Sequence, residues 1–90
     1  ASSLRECLAA DGFDLDDPPN VGARLQDWNP DSGNTLRIYL RLNGHPCGTV
    51  DVSRGKDGRF VATDSGPLRT GRGTLGLLFR IACFFNDATA

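Results

Sequence analysis

The sequence predicts an α+β domain: an N-terminal helix, a three-stranded antiparallel meander and a C-terminal helix packed on one sheet face. Three observations predict it. Residues 35–42 alternate strictly, with Leu36, Ile38, Leu40 and Leu42 on one side and Arg37, Tyr39 and Arg41 on the other, the period of a strand with one buried face. Asn43-Gly44 follows at once and suits both left-handed positions of a type I′ hairpin turn. Residues 74–86 carry apolar side chains around a wide helical arc, as a helix covering a sheet must. Ninety residues make a single domain, 1–90, which buries only about 60–65% of the surface its unfolded chain exposes.

Each element has a local cause. Ser3-Leu4-Arg5-Glu6 fits a Ser-x-x-Glu capping box, so a helix is expected over residues 3–11, with Leu4, Cys7 and Leu8 as its narrow apolar stripe and Gly12 as its stop. Residues 14–20 contain Asp16-Asp17-Pro18-Pro19, where proline removes backbone donors and the carboxylates repel, so an extended connector is expected. Residues 23–28 can add a fourth, edge strand before the turn signal of residues 29–34. After the Asn43-Gly44 turn the chain should return through residues 47–53 with Val50 and Val52 inward. Arg54-Gly55-Lys56-Asp57-Gly58 turns it again, and residues 59–64 form the last strand with Phe60 and Ala62 inward.

A loop over residues 65–73 leads to a second helix ending near Asn86, capped by Thr70 or Thr74. On its wheel Leu75, Leu78, Phe79, Ala82 and Phe85 form one face, and Leu77, Ile81 and Phe84 continue the arc, interrupted only by Gly76, Arg80 and Asp87. An arc that wide exceeds what one sheet face covers. Helix one, a partner chain or a second copy must bury the remainder, and Leu77, Ile81 and Phe84 are the expected oligomer interface, since exposing each forgoes about 1.5–3 kcal/mol.

Charge is sorted along the chain. Residues 1–34 carry two arginines against seven carboxylates, whereas residues 35–86 carry eight basic groups against three acidic ones, within a net charge of −1. The outward strand face therefore offers Arg37, Tyr39, Arg41 and Arg59 for phosphates and a stacked ring. The glycine-rich loop before the last helix adds Arg69 and Arg72, without the lysine-Ser/Thr pair of a P-loop. Asp11, Asp14, Asp16 and Asp17 form an acidic contact surface for a basic region of this chain or of a partner. Pro18 at a ligand position and the lack of a closing glutamate argue against an EF-hand.

Catalysis is not expected, because the only histidine, His45, has no nucleophile or carboxylate pairing that the sequence establishes. Cys7, Cys47 and Cys83 are widely spaced and odd in number, which argues against a disulfide framework or a cysteine zinc site and for a reducing cytoplasm. No metal or cofactor is expected. The longest apolar stretch, residues 75–85, falls short of the about 20 residues of a membrane span, and the first residues lack the basic and apolar regions of a signal peptide.

The order helix, three-stranded meander, helix is similar to that of double-stranded RNA-binding domains, and meander followed by helix is similar to the arm-site DNA-binding domains of tyrosine recombinases. Both likenesses are topological and carry no shared motif. The lysine cluster with which the RNA-binding family opens its last helix is missing, with only Arg72 nearby, so membership of neither family is claimed. The function expected is that of a small non-enzymatic interaction protein that docks to a macromolecule, foremost a protein, as a regulator or inhibitor of the kind carried by phages and mobile elements. The alternative is a nucleic-acid-binding module using the outward basic face, and a homodimer is a third arrangement.

Overall fold

The computed structural model describes residues 3–15, 29, 32–33, 35–66, 68–71 and 73–88. In chain order they form helix α1 (Leu4–Ala9), strands β1 (Phe13–Leu15), β2 (Leu36–Leu42), β3 (His45–Arg54) and β4 (Phe60–Asp64), and helix α2 (Leu75–Ala88). The four strands make one open antiparallel sheet in the order β1-β2-β3-β4, and α2 packs against it, most closely on β4.

The N-terminal helix begins as its capping box requires: the Glu6 N–H donates to Ser3 Oγ at 3.2 Å, and the Ser3 N–H donates back to Glu6 Oε1 at 3.4 Å. Leu4 and Leu8 are its buried residues. The chain then turns into β1, which pairs Phe13 with Leu42 and Leu15 with Leu40. The fourth strand is therefore the start of the supposed connector, because Phe13 and Leu15 alternate around Asp14 and can bury both side chains beside β2. Residues 23–28, expected as an edge strand, lie outside the described residues. The likeness to a three-stranded meander between two helices likewise stops at β1.

Asn43 and Gly44 adopt φ +50° and +85°, the left-handed pair of a I′ turn. Regular alternation would aim Cys47 outward, since Val50 and Val52 point inward. A bulge corrects this: Leu40 pairs with Gly48 and Arg41 with Pro46, leaving Cys47 as the extra residue, buried in the core. Gly48 makes the bulge with φ +139°, and a Cβ there would sit 2.6 Å from Leu68 Cδ2, so only glycine lets Leu68 close over it.

Leu8, Ile38, Leu40, Val50, Val52 and Ile81 are fully enclosed. Around them Leu4, Phe13, Leu15, Leu36, Phe60, Leu77 and Phe85 complete the core. Phe85 meets Phe60 with ring centroids 6.0 Å apart. Beside it, Asn86 Oδ1 accepts from the Phe60 N–H at 2.8 Å and its Nδ2 donates to the Phe60 carbonyl at 3.2 Å, as a neighbouring strand would. Replacing Asn86 by Ala removes both bonds and should lower the unfolding free energy by about 1–3 kcal/mol. Urea denaturation reads this as a lower midpoint at unchanged slope; an unchanged midpoint would show that the amide contributes nothing.

Candidate functional site

The arginines of β2 do stand on the solvent side of the sheet, opposite the helices, but they are not free for an anion. Arg37 pairs with Asp51 across the strands, with Nε donating to Oδ1 at 2.9 Å and Nη2 to Oδ2 at 3.2 Å. This two-point bond is the first cause that raises the Arg37 pKa further above its ordinary value, followed by the carboxylate's charge. Arg41 donates from Nη1 to the Gly44 carbonyl at 2.9 Å and lies opposite Asp14 in register. Tyr39, half-buried between them, borders a shallow depression of about 420 Å³ shared with Thr35, Arg37 and Asp51. Asp51 thus offsets Arg37 on this face, while the carboxylate opposite Arg41 is already paired with Arg5.

The remaining basic candidates are dispersed. Arg59 is exposed ahead of β4, two strands away from β2, and its backbone N–H donates to Asp57 Oδ1 at 3.0 Å. Arg69 is exposed at the other end of the sheet, where its N–H donates to the Cys47 carbonyl at 2.7 Å. Arg72 lies outside the described residues. The structure brings Arg37, Tyr39 and Arg41 together and leaves Arg59 and Arg69 apart.

The acidic segment is partly neutralised by the chain's own helices. Asp11 pairs with Arg80 of α2. Asp14 accepts from Arg5 Nη1 of α1 at 2.6 Å and from the Leu15 N–H at 2.7 Å. Neither partner belongs to the meander, and Asp16 and Asp17 lie outside the described residues. Among the described residues no group of three or more His, Cys, Asp or Glu is placed to hold a metal ion, and no helix is long and apolar enough to cross a membrane.

The oligomer interface expected on α2 must be corrected. Leu77 and Ile81 are buried against this chain's own sheet and Phe84 is half-buried on the same core, whereas Leu75 is 83% and Phe79 72% exposed. The helix is rolled relative to the expected face. Two flank contacts set the roll: Arg80 reaches Asp11 on the α1 side, and Asn86 reaches Phe60 at the outer edge of the sheet. Leu75 and Phe79 therefore stand one helical turn apart on the solvent side, the largest apolar exposure among the described residues beside Val61 at 46%.

No family model, curated protein or solved structure matches the chain.

All three cysteines are free thiols. Burial pushes the Cys47 thiol above its ordinary pKa, because a thiolate in the core loses its hydration. The unfolded chain then loses this proton first, so the stabilisation is whole below about pH 8.5 and declines as the pH rises past it. The alkaline loss of stability should accordingly be shallower in Cys47→Ala than in the natural chain, measured by urea denaturation from about pH 7 to pH 10. A thiol reagent at about pH 8 should label the half-buried Cys7 and Cys83 well before Cys47; equal rates would contradict the burial.

Proposed function

We propose that this chain is a non-catalytic protein-interaction domain that docks through the solvent side of α2, as a regulator or inhibitor of its partner. The observation that carries this reading is the exposure of Leu75 and Phe79, one helical turn apart on a helix whose opposite face already fills the core. Leaving them in water forgoes about 1.5–3 kcal/mol each, and a protein partner recovers that by covering them. Aromatic and leucine side chains on one helix face are also the usual anchors of a protein interface.

The charge geometry supports a protein rather than a nucleic acid. A phosphate-binding face needs uncompensated cations, and here Arg37 is held at two points by Asp51. The free thiols suit a reducing compartment such as the cytoplasm.

Phe79→Glu should leave the fold intact, changing unfolding free energy by no more than about 0.5 kcal/mol as for other exposed positions. The same substitution should abolish capture of the partner from native lysate by the immobilised chain. Retention of every captured protein by the variant would refute the reading. So would tight, steeply salt-dependent binding of duplex or single-stranded nucleic acid that Phe79→Glu leaves unchanged.

A further inference from the structure

β4 is the last strand of the sheet, and among the described residues no strand lies on its outer side. Its odd-numbered residues face β3: the Arg59 carbonyl accepts from the Gly55 N–H, and the Ser65 N–H donates to the Thr49 carbonyl, at the two ends of the ladder. By the alternation of antiparallel pairing, the main-chain groups of Phe60, Ala62 and Asp64 point away from β3. Such a row is a template on which another strand can pair. At Phe60 the template is already taken. Asn86 Oδ1 accepts from the Phe60 N–H at 2.8 Å while its Nδ2 donates to the Phe60 carbonyl at 3.2 Å. A primary amide carries both a donor and an acceptor, so this one side chain closes the rung on both sides, as a strand would.

The side chains around it hold the amide in place. Phe85, the residue before Asn86, meets the Phe60 ring with centroids 6.0 Å apart, and both rings are buried. The Arg54 guanidinium carbon lies 4.6 Å from the centre of the same Phe60 ring. The end of α2 therefore cannot leave the start of β4 without uncovering Phe60. Ala62 and Asp64 have no such bond among the described residues, and Asp64 ends the strand in an exposed carboxylate. A five-residue strand that is closed at one end and charged at the other offers little to an incoming chain.

We propose that Asn86 is an edge lock: it stands in for a neighbouring strand at Phe60, shortens the pairing template of β4 and so keeps the sheet from adding a strand of another molecule. With the lock closed, an incoming strand finds the rungs of Ala62 and Asp64 alone. With it open, Phe60 joins them in one unbroken row of three. The lock sits in the last turn of α2, two residues before its end at Ala88, and helix ends open at far lower cost than the whole fold. Local opening of that turn, without global unfolding, therefore exposes the full template. Whatever docks on Leu75 and Phe79 plays no part in this.

Amide hydrogen exchange followed by NMR tests the lock in the natural chain, without any substitution. Corrected for intrinsic rates, the Phe60 amide should exchange at least about tenfold more slowly than the Ala62 amide, although both point off the same edge. Asn86→Ala should abolish that difference and lower at least about tenfold the concentration at which the chain self-associates, read by sedimentation velocity up to about 1 mM. Ile38→Val, a modest core substitution away from the edge, should do neither. Ala62→Pro removes an edge N–H without entering the β3 ladder, so adding it to Asn86→Ala should reverse the association. Asn86→Asp keeps the shape and the acceptor but loses the donor; it should associate as Asn86→Ala does, and it replaces that variant if the alanine chain does not fold. Equal exchange of Phe60 and Ala62 in the natural chain overturns the inference. So does association no stronger in the Asn86 variants than in Ile38→Val, or association that Ala62→Pro leaves unchanged.

Discussion

A four-stranded open sheet has one apolar face to keep from water, and this chain has two short helices with which to cover it. Everything else in the molecule follows from how that cover is arranged. Leu36, Ile38, Leu40, Val50, Val52 and Phe60 lie beneath it. The first helix, of six residues, covers the β1 side. The second, of fourteen, covers the middle and the β4 side. Two parallel demands act on α2: its apolar arc must meet the sheet, and its flanks must satisfy polar neighbours at both margins. Arg80 to Asp11 and Asn86 to the Phe60 main chain meet the second demand, and in doing so they set how the helix is rolled.

That roll turns a packing problem into a surface. A helix with an apolar arc wider than the core it covers must leave part of the arc in water, and the flank contacts choose which part. Here it is Leu75 and Phe79. On the opposite side of the sheet, by contrast, Arg37 pairs with Asp51 across the strands and Arg41 donates to the Gly44 carbonyl. An exposed pair of this kind adds little to stability, but it offsets part of the charge of a face that would otherwise attract polyanions. The apolar flank thus differs in kind from the rest of the described surface.

The segregation of charge along the chain has a related outcome. The acidic N-terminal stretch meets the basic remainder where Asp11 pairs with Arg80, while Asp14 pairs with Arg5 inside the stretch itself. Asymmetry in sequence has become local neutralisation in space, because α1 and β1 pack beside α2 and β2. Among the described residues, the charges sorted along the sequence are partly neutralised by the pairs Asp11–Arg80 and Asp14–Arg5.

Local and periodic features were legible before any tertiary contact. The capping box at Ser3 and Glu6, the alternation of residues 36–42, the Asn43-Gly44 turn and the inward Val50, Val52 and Phe60 each depend on neighbours a few positions away, and each formed as the residues predict. Three outcomes belonged to the tertiary structure alone. Phe13–Leu15 is too short to be distinguished from a connector until β2 offers it an edge. Cys47 turns inward only because Gly48 can hold a bulge under Leu68. The face that α2 buries cannot be read from a wheel that is apolar over more than half its circumference; contacts with Asp11 and Phe60, 69 and 26 residues away along the chain, decide it. Periodicity specifies which side chains share a face, but which face meets the core depends on partners that only folding brings within reach.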